Sequence, residues 1–243
     1  MKPLRHGIIT VGIALALVVS VARTPHGQSG IKHGNKAADA AAQSAKAAKA
    51  FDAIMQVPDK AIPQELLARA KAIAVFPEVL KVAFTVGGEG GRGVVSRRVG
   101  DGWGDPVFLK AGGGSVGPQI GASATDFVLL MMNDDSVAGL MKDRFELGGE
   151  AQVAAGPVGR NAGAATDALM QAEILSYSRS HGLFAGVNVK GIVISPEDDL
   201  NVAVYKKTAR ELLAEPIARD ESAKAGLHAF PQALGRYANA GDR

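Results

Sequence analysis

The feature that most limits what this chain can fold into is a change of rhythm after Pro77. From there, short apolar runs alternate with glycines: Val82 to Val86, Gly93 to Val99, Val107 to Ala111, Val116 to Ser123, Phe127 to Met132, Ala151 to Ala155, Ile174 to Ser178, Val187 to Ile194 and Asn201 to Tyr205. Runs this short between glycines read as strands, and their connections are mostly too short for crossover helices. The 30 glycines among 243 residues point the same way, toward many tight turns joining many short elements. The expected class is α+β: a mostly antiparallel sheet or barrel-like core of about eight to nine short strands, with N-terminal helices packed on it and a short helical tail.

The helices flank this region. An alanine-rich helix starts at Asn35, with Lys36, Asp39, Gln43 and Lys46 as a polar stripe, and Val57-Pro58 ends it. A second fits Pro63 to Lys71, with Leu66, Leu67, Ala70 and Ile73 at core spacing. Asn133-Asp134-Asp135-Ser136 caps a short helix ending near Met141, and the tail holds helical pieces Ala209 to Leu213 and Gln232 to Tyr237, broken by Pro216 and Pro231.

The first residues have the pattern of an export signal. Lys2, Arg5 and His6 precede the apolar run Ile8 to Val19, and Ser20-Val21-Ala22 fits a small-x-small cleavage site. The expected organisation is a signal peptide over 1–22, a flexible lead-in over 23–35, a domain over 36–207 and a helical tail over 208–243. Periplasmic localisation follows. The alternative is a membrane anchor left uncleaved, although Ile8 to Ala22 is shorter than the roughly 20 residues a bilayer span needs. The chain has no cysteine, which excludes disulfide staples and a lipid attached to a cysteine. Its 27 basic and 24 acidic side chains give +3, and Lys2 and Arg5 leave with the leader to make +1, so no nucleic-acid partner is expected.

Catalytic motifs fail on context. Gly88-Glu89-Gly90-Gly91-Arg92-Gly93 matches G-x-G-x-x-G, but a dinucleotide site needs a helix next, and Val94-Val95 begins a strand; a glycine hairpin loop is the expectation. Gly113-Gly114-Ser115-Val116-Gly117 matches the nucleophile elbow G-x-S-x-G, which again needs a following helix, whereas Pro118 and Ile120-Gly121 read as strand. A hydrolase would have to use Ser115 or His181, and His181 in Ser180-His181-Gly182 suits a three-residue hairpin loop better than proton transfer. His6, His26, His33 and His228 fall in the leader, linker or tail without metal-ligand spacing. Glu197-Asp198-Asp199 after Pro196 reads as a solvated turn rather than a calcium site. No catalytic residue, metal or cofactor is assigned.

The stretch Ala172 to Val187 is a hairpin by its alternation. Leu175 and Tyr177 alternate with Ile174, Ser176 and Ser178 before the turn, and Val187, Val189 and Val193 with Asn188, Lys190 and Ile192 after it. Its wording resembles the SYLF-domain family. So do Gly156-Pro157-Val158-Gly159-Arg160, Ala165-Thr166-Asp167-Ala168, Thr125 to Asn133, and Ile62-Pro63-Gln64-Glu65-Leu66-Leu67 leading to Ala72 to Pro77. The resemblance covers about Ile62 to Tyr205. It marks Tyr177, Ser178, Gly182, Leu183, Phe184 and Gly186 as a structural family signature.

The resemblance implies a non-enzymatic lipid-binding domain, whose eukaryotic members recognise phosphoinositides and associate with actin at membranes. In them a basic amphipathic N-terminal helix contributes to membrane binding. Its nearest counterparts here are Lys36, Lys46 and Lys49, with Phe51 and Ile54 as apolar anchors. Asp39 and Asp52 dilute that helix's charge, and an exported bacterial-type chain meets neither actin nor, ordinarily, phosphoinositides, so actin binding is not expected to transfer. The expected function is a phospholipid- or membrane-binding module of the bacterial cell envelope. The alternative is an envelope structural or protein-interaction module that uses a sheet edge or glycine-rich loops. The sequence leaves the oligomeric state open.

Overall fold

The computed structural model describes residues 36–57, 61–83, 86–116, 121–158, 172–180, 183–187, 189–216 and 225–238. The signal-like run, the lead-in, Asn35, His181 and Gly182 fall outside them. The described chain starts with α1 (Lys36–Met55) and α2 (Gln64–Arg69). Four long strands follow: β1 (Ala72–Ala83), β2 (Val86–Val99), β4 (Val107–Val116) and β5 (Gly121–Met131), with the two-residue β3 (Gly102–Trp103) between. Then come α3 (Asp134–Gly139), β6 (Phe145–Glu146), β7 (Val153–Ala155), β8 (Ile174–Ser180), β9 (Leu183–Gly186) and β10 (Val193–Pro196). Two helices, α4 (Asp198–Tyr205) and α5 (Ala209–Ala214), lead to a 3-10 turn (Ala225–His228) and α6 (Ala229–Ala238).

The strands form one sheet in the order β6-β10-β4-β2-β1-β5-β8-β7, with β3 on β2 and β9 on β8. Its pairs are antiparallel except β7 with β8, which is parallel. A bridge between Leu147 and Ala151 brings the β6 and β7 edges together, so the sheet curls almost into a barrel. Such curling leaves few open edges for foreign strands.

Both faces of the central strands are buried, which is why Ala72 to Phe76 and Phe127 to Met131 are continuously apolar rather than alternating. Outward, Ile73, Val75, Val94, Phe108, Val128 and Tyr177 pack under α1 and α6. Inward, Ala74, Phe76, Val95, Leu109, Leu129 and Met131 pack with Val137 and Leu140 of α3 and with Leu212 and Leu213 of α5. By register, α3 and α5 close the end of the barrel where β1 and β8 begin. The ends at which β1 meets β2, β4 meets β5 and β8 meets β9 lie opposite.

The α+β reading holds, and several element assignments change. Pro77 does not precede the sheet; it sits within β1, in a bulge where the register shifts between Phe76 and Val79. The bulge removes Pro77 from the ladder, and the Asp126 carboxylate accepts the Glu78 N–H at 2.9 Å while Glu78 takes φ 51°. The run Val82 to Val86 is not one strand: Val82 and Ala83 end β1, and Val86 begins β2. Gly88 to Gly93 is not a hairpin loop but the middle of β2. Gly93 must lack a side chain because the Phe76 ring occupies that space, and Gly91 does the same for Val79.

Asn201 to Tyr205 is helix, not strand. Buried Asn201 accepts the Phe108 N–H and donates to its carbonyl, both at 2.9 Å, supplying the bonds that β4 lacks there. Pro231 does not break the tail: it lies in the first turn of α6, where a missing N–H costs nothing. As expected, Asn133 caps α3, its side chain accepting the Ser136 N–H at 2.8 Å.

Candidate functional site

Lys36, Lys46 and Lys49 of α1 are all exposed, Lys36 at the N-terminal end of the stripe that buries Ala40, Gln43 and Ala47, and Lys46 on the flank next to β1. Lys46 pairs with Glu78 at 3.2 Å, but with about two thirds of each side chain in water the pair contributes little. Phe51 and Ile54 are not at the surface. Both are 0% exposed, and Phe51 meets the Phe230 ring edge-on at 6.5 Å and Tyr237 at 5.9 Å. The cause is spacing: Ala40, Gln43, Ser44, Ala47, Phe51 and Ile54 recur every three or four residues, and the small ones bring α1 close to the sheet. Phe51 and Ile54 are core residues, unavailable as membrane anchors in this fold.

α1 is clamped down by charge. The Arg92 guanidinium of β2 grips Asp39 through both Nη atoms at 3.0 and 2.9 Å and reaches Glu197 through Nε at 3.1 Å. The Arg92 hydrogen bond holds the Asp39 carboxyl below its usual range, and the same partners raise Arg92. Glu197 therefore does not sit in a solvated turn: it is 8% exposed. Asp198 accepts the Ala209 N–H at 2.7 Å, joining α4 to α5. These carboxylates serve the fold, and among the described residues no group of acidic or histidine side chains is arranged to hold a metal. A groove of about 230 Å³ runs beside the clamp, lined by Ala42, Gln43, Lys46, Pro77 and Glu78 among others.

The signature hairpin divides its residues between core and cleft. Tyr177 is 0% exposed, its hydroxyl donates to the Pro157 carbonyl at 3.2 Å, and burial pushes its phenol well above the ordinary value. Gly186 lies opposite Tyr177 and is pressed against the backbone of Gly156, where any side chain would collide. Leu183 is 75% exposed, and Phe184 pairs with Arg179 through the backbone.

Ser178 faces inward and lines a cleft of about 380 Å³ toward the end of the barrel away from α3 and α5. The walls include apolar Val79, Phe127, Val187, Val189 and Ile192. Thr125, Ser180, Glu89 and Lys190 add polar groups. The cleft was missed because Val187 to Ile194 reads as one strand. Val187 and, from Val189, the stretch to Ile192 line the cleft outside any strand, with Gly191 at φ 85°, and only Val193–Pro196 is strand. The Lys190-Gly191 pair was the available sign of that interruption. Ser115 lies within β4, paired with Gly87, and the strand continues through Val116, so Ser115 does not sit at the strand-to-helix turn an elbow needs. His228, placed in the tail by sequence, is 4% exposed with Nδ1 3.4 Å from Asp105.

Residues 112–234 match the model of the Ysc84 family, described as Las17-binding protein actin regulators. The chain belongs to the Ysc84/SYLF family. Among its relatives is an SH3 domain-containing protein of Schizosaccharomyces pombe, 38% identical over 168 residues, 67% of this chain and 39% of the relative. LAS seventeen-binding protein 3 of Saccharomyces cerevisiae is 38% identical over 151 residues, 60% of this chain and 33% of the relative. The human SH3 domain-containing YSC84-like protein 1 is 32% identical over 190 residues, 76% of this chain and 55% of the relative. The chain thus spans between a third and just over half of these relatives' own length. The Ysc84 match starts within β4 and contains the cleft-lining parts of β5 and β8 and the stretch from Val187 to Ile192; α1 lies outside it.

Proposed function

We propose that this chain is a phospholipid-binding module of the bacterial cell envelope and performs no catalysis. The observation that carries the reading is the Ysc84/SYLF match over residues 112–234, because lipid binding is what the SYLF resemblance implies. The exposed lysines Lys36, Lys46 and Lys49 of α1 support a surface contact of electrostatic kind, each lysine near an anionic bilayer adding about 1 kcal/mol. With Phe51 and Ile54 in the core, α1 attracts headgroups rather than inserting. Export to the periplasm, after cleavage near Ala22, is part of the same proposal. Actin regulation, which the family's description names, is not part of it, since the relatives this chain matches are longer proteins of which it spans a third to just over half.

Co-sedimentation of the chain with phosphatidylglycerol-containing vesicles at low salt tests the reading. Binding that falls as salt rises is expected, because exposed charges are screened over about 8 Å at physiological ionic strength. Absence of binding to both anionic and zwitterionic vesicles would end it.

A second reading, a protein-interaction face, has one observation in its favour. Gly88, Gly90, Gly112 and Gly114 form two cross-strand pairs on the outer face, with nothing nearer than 3.8 Å to where a side chain would start. Nothing in the fold requires glycine at these four positions. Size-exclusion chromatography and lipid-free pull-down distinguish this reading from the first.

A further inference from the structure

We infer that the bare glycine patch on the outer face of β2 and β4 is a docking floor for one aromatic side chain of a partner protein, with an acidic residue beside it that pairs with Lys110. The inference rests on the protein-interaction reading above and gives it a site and a partner chemistry. Gly90 pairs with Gly112 and Gly88 with Gly114, so four positions on adjacent strands present backbone alone, two rows deep. Gly88, Gly90 and Gly114 are exposed, and Gly112 is half-buried. Glycine inside a strand weakens it, and where the fold does not demand glycine the usual reason is close approach by another group. Within sheets, an aromatic ring on the neighbouring strand covers such a glycine and shields its ladder hydrogen bonds from water. Here the chain does not supply that cover: the neighbours in the row of Gly90 and Gly112 are Leu80 on β1 and Val193 on β10.

Shape sets the size of the occupant. Two strands about 4.8 Å apart and two rows about 7 Å apart give a floor the size of a single ring system. Leu80, 59% exposed, rises at one side, and half-buried Val193 lies at the other. α1 stands at one end, held by the pair of Asp39 with Arg92, the next outward residue of β2 after Gly90. A bilayer lying flat would meet α1 and Leu80 before the glycines, whereas one inserted side chain reaches them.

Charge sets what stands beside the ring. Arg92 and Lys110 are cross-strand partners one outward row beyond Gly90 and Gly112. Arg92 is engaged with Asp39 and Glu197. Lys110 is exposed and has no hydrogen bond or ion pair among the described residues, so the floor ends in one uncompensated positive charge. A carboxylate next to the incoming ring fits it, and an aromatic anchor with a charge at the rim is a common form of protein contact. A second copy of this chain does not offer the ring: among the aromatic side chains described, none is exposed.

The test titrates the full chain, its glycine amides labelled for magnetic resonance, with the peptide acetyl-Ala-Trp-Asp-Ala-amide and with versions carrying Leu for Trp or Asn for Asp. Ring-current shifts are expected at Gly88, Gly90, Gly112 and Gly114, with millimolar affinity. The Leu version should give no such shifts, and the Asn version should bind about threefold more weakly, a difference that Lys110→Gln removes. Gly112→Val, which puts a side chain on the floor, should weaken binding about tenfold or more. Gly90→Ala, whose methyl meets nothing nearer than 3.8 Å within the chain, should weaken it several-fold and serves where Gly112→Val does not fold. Neither substitution should change sedimentation with vesicles. Absence of shifts at the four glycines overturns the site and leaves the interaction reading, which the sheet edges also serve, to its pull-down test. Binding unchanged in a folded Gly112→Val chain overturns the site too, and equal affinity for the Asp and Asn peptides overturns the role of Lys110. Vesicle sedimentation that falls several-fold in Gly112→Val, with no peptide shifts in wild type, assigns the patch to the membrane instead.

Discussion

The two faces of β8 behave as if they belonged to different proteins. Outward, Leu175 and Tyr177 are 1% and 0% exposed beneath the helices, and even the Tyr177 hydroxyl is partnered. Inward, the same strand offers Ser176, Ser178 and Ser180, buried and bonded at the first and opening into the cleft at the other two. The outer face is held by dense packing plus charge clamps. The inner face is packed against α3 and α5 toward one end and lines the cleft toward the other. Packing thereby differs between opposite sides of one strand, a division that substitutions can test.

The largest effect is expected on the outer face. Phe51→Ala removes a ring that touches Phe230 and Tyr237 and should cost about 3–5 kcal/mol, lowering the melting temperature by roughly 6–20 °C. A melt shifted by less than 2 °C would mean that α1 is not a core helix, and the contrast between faces would collapse.

Next is the clamp over that face. Arg92→Gln leaves the Glu197 carboxylate, 10% exposed, without its cation and should cost about 1–3 kcal/mol. Hydrogen exchange should quicken in the first turns of α1 and of α4 while α6 stays protected.

A comparison within β2 sharpens the point. Gly93→Ala drives a methyl into the Phe76 ring on the inner side and should cost about 1–3 kcal/mol by overpacking. Gly90→Ala meets only open space outside and should stabilise by about 0.5–1 kcal/mol. Equal urea midpoints for the two variants would show that the two faces are not differently packed there.

Alkaline titration probes the buried phenols. Burial raises Tyr177, and burial together with the Asp105 carboxylate raises Tyr205, above the ordinary 10.0. Because the fold favours the neutral phenol, this stability is complete below pH 10 and is lost as the pH climbs beyond it. Tyr177→Phe should flatten the fall in melting temperature above pH 10; a slope identical to wild type would show that the phenol titrates freely.

The smallest effect on stability should come from Lys49→Glu, within about 0.5 kcal/mol, yet vesicle binding should weaken about fivefold or more. Unchanged sedimentation would remove α1 from the membrane contact.

Sequence was sufficient where a local pattern had one physical solution. The glycine-punctuated apolar runs pointed to a mostly antiparallel sheet or barrel, although four of its strands are long rather than short; Asn133 was placed to cap α3, and the signature around Tyr177 marked the family before the fold was known. It was insufficient where distant residues arbitrate. Val82 to Val86 and Gly88 to Gly93 have the composition of a strand and a loop. They became a turn and a strand because β2 pairs along both β1 and β4. Asn201 to Tyr205 has strand-forming residues, but Asn201 is drawn to the free backbone of Phe108, 93 residues away, and only a helix places it there. Phe51 and Ile54 share a stripe that would suit either a membrane or a core, and periodicity does not say which apolar surface is on the other side; α6 and the sheet decided it. The cleft, likewise, is assembled from five strands and the stretch before β10. Local sequence determines what each strand can bury, but which strands curl together, and where a cleft remains, depends on packing between residues far apart in the chain.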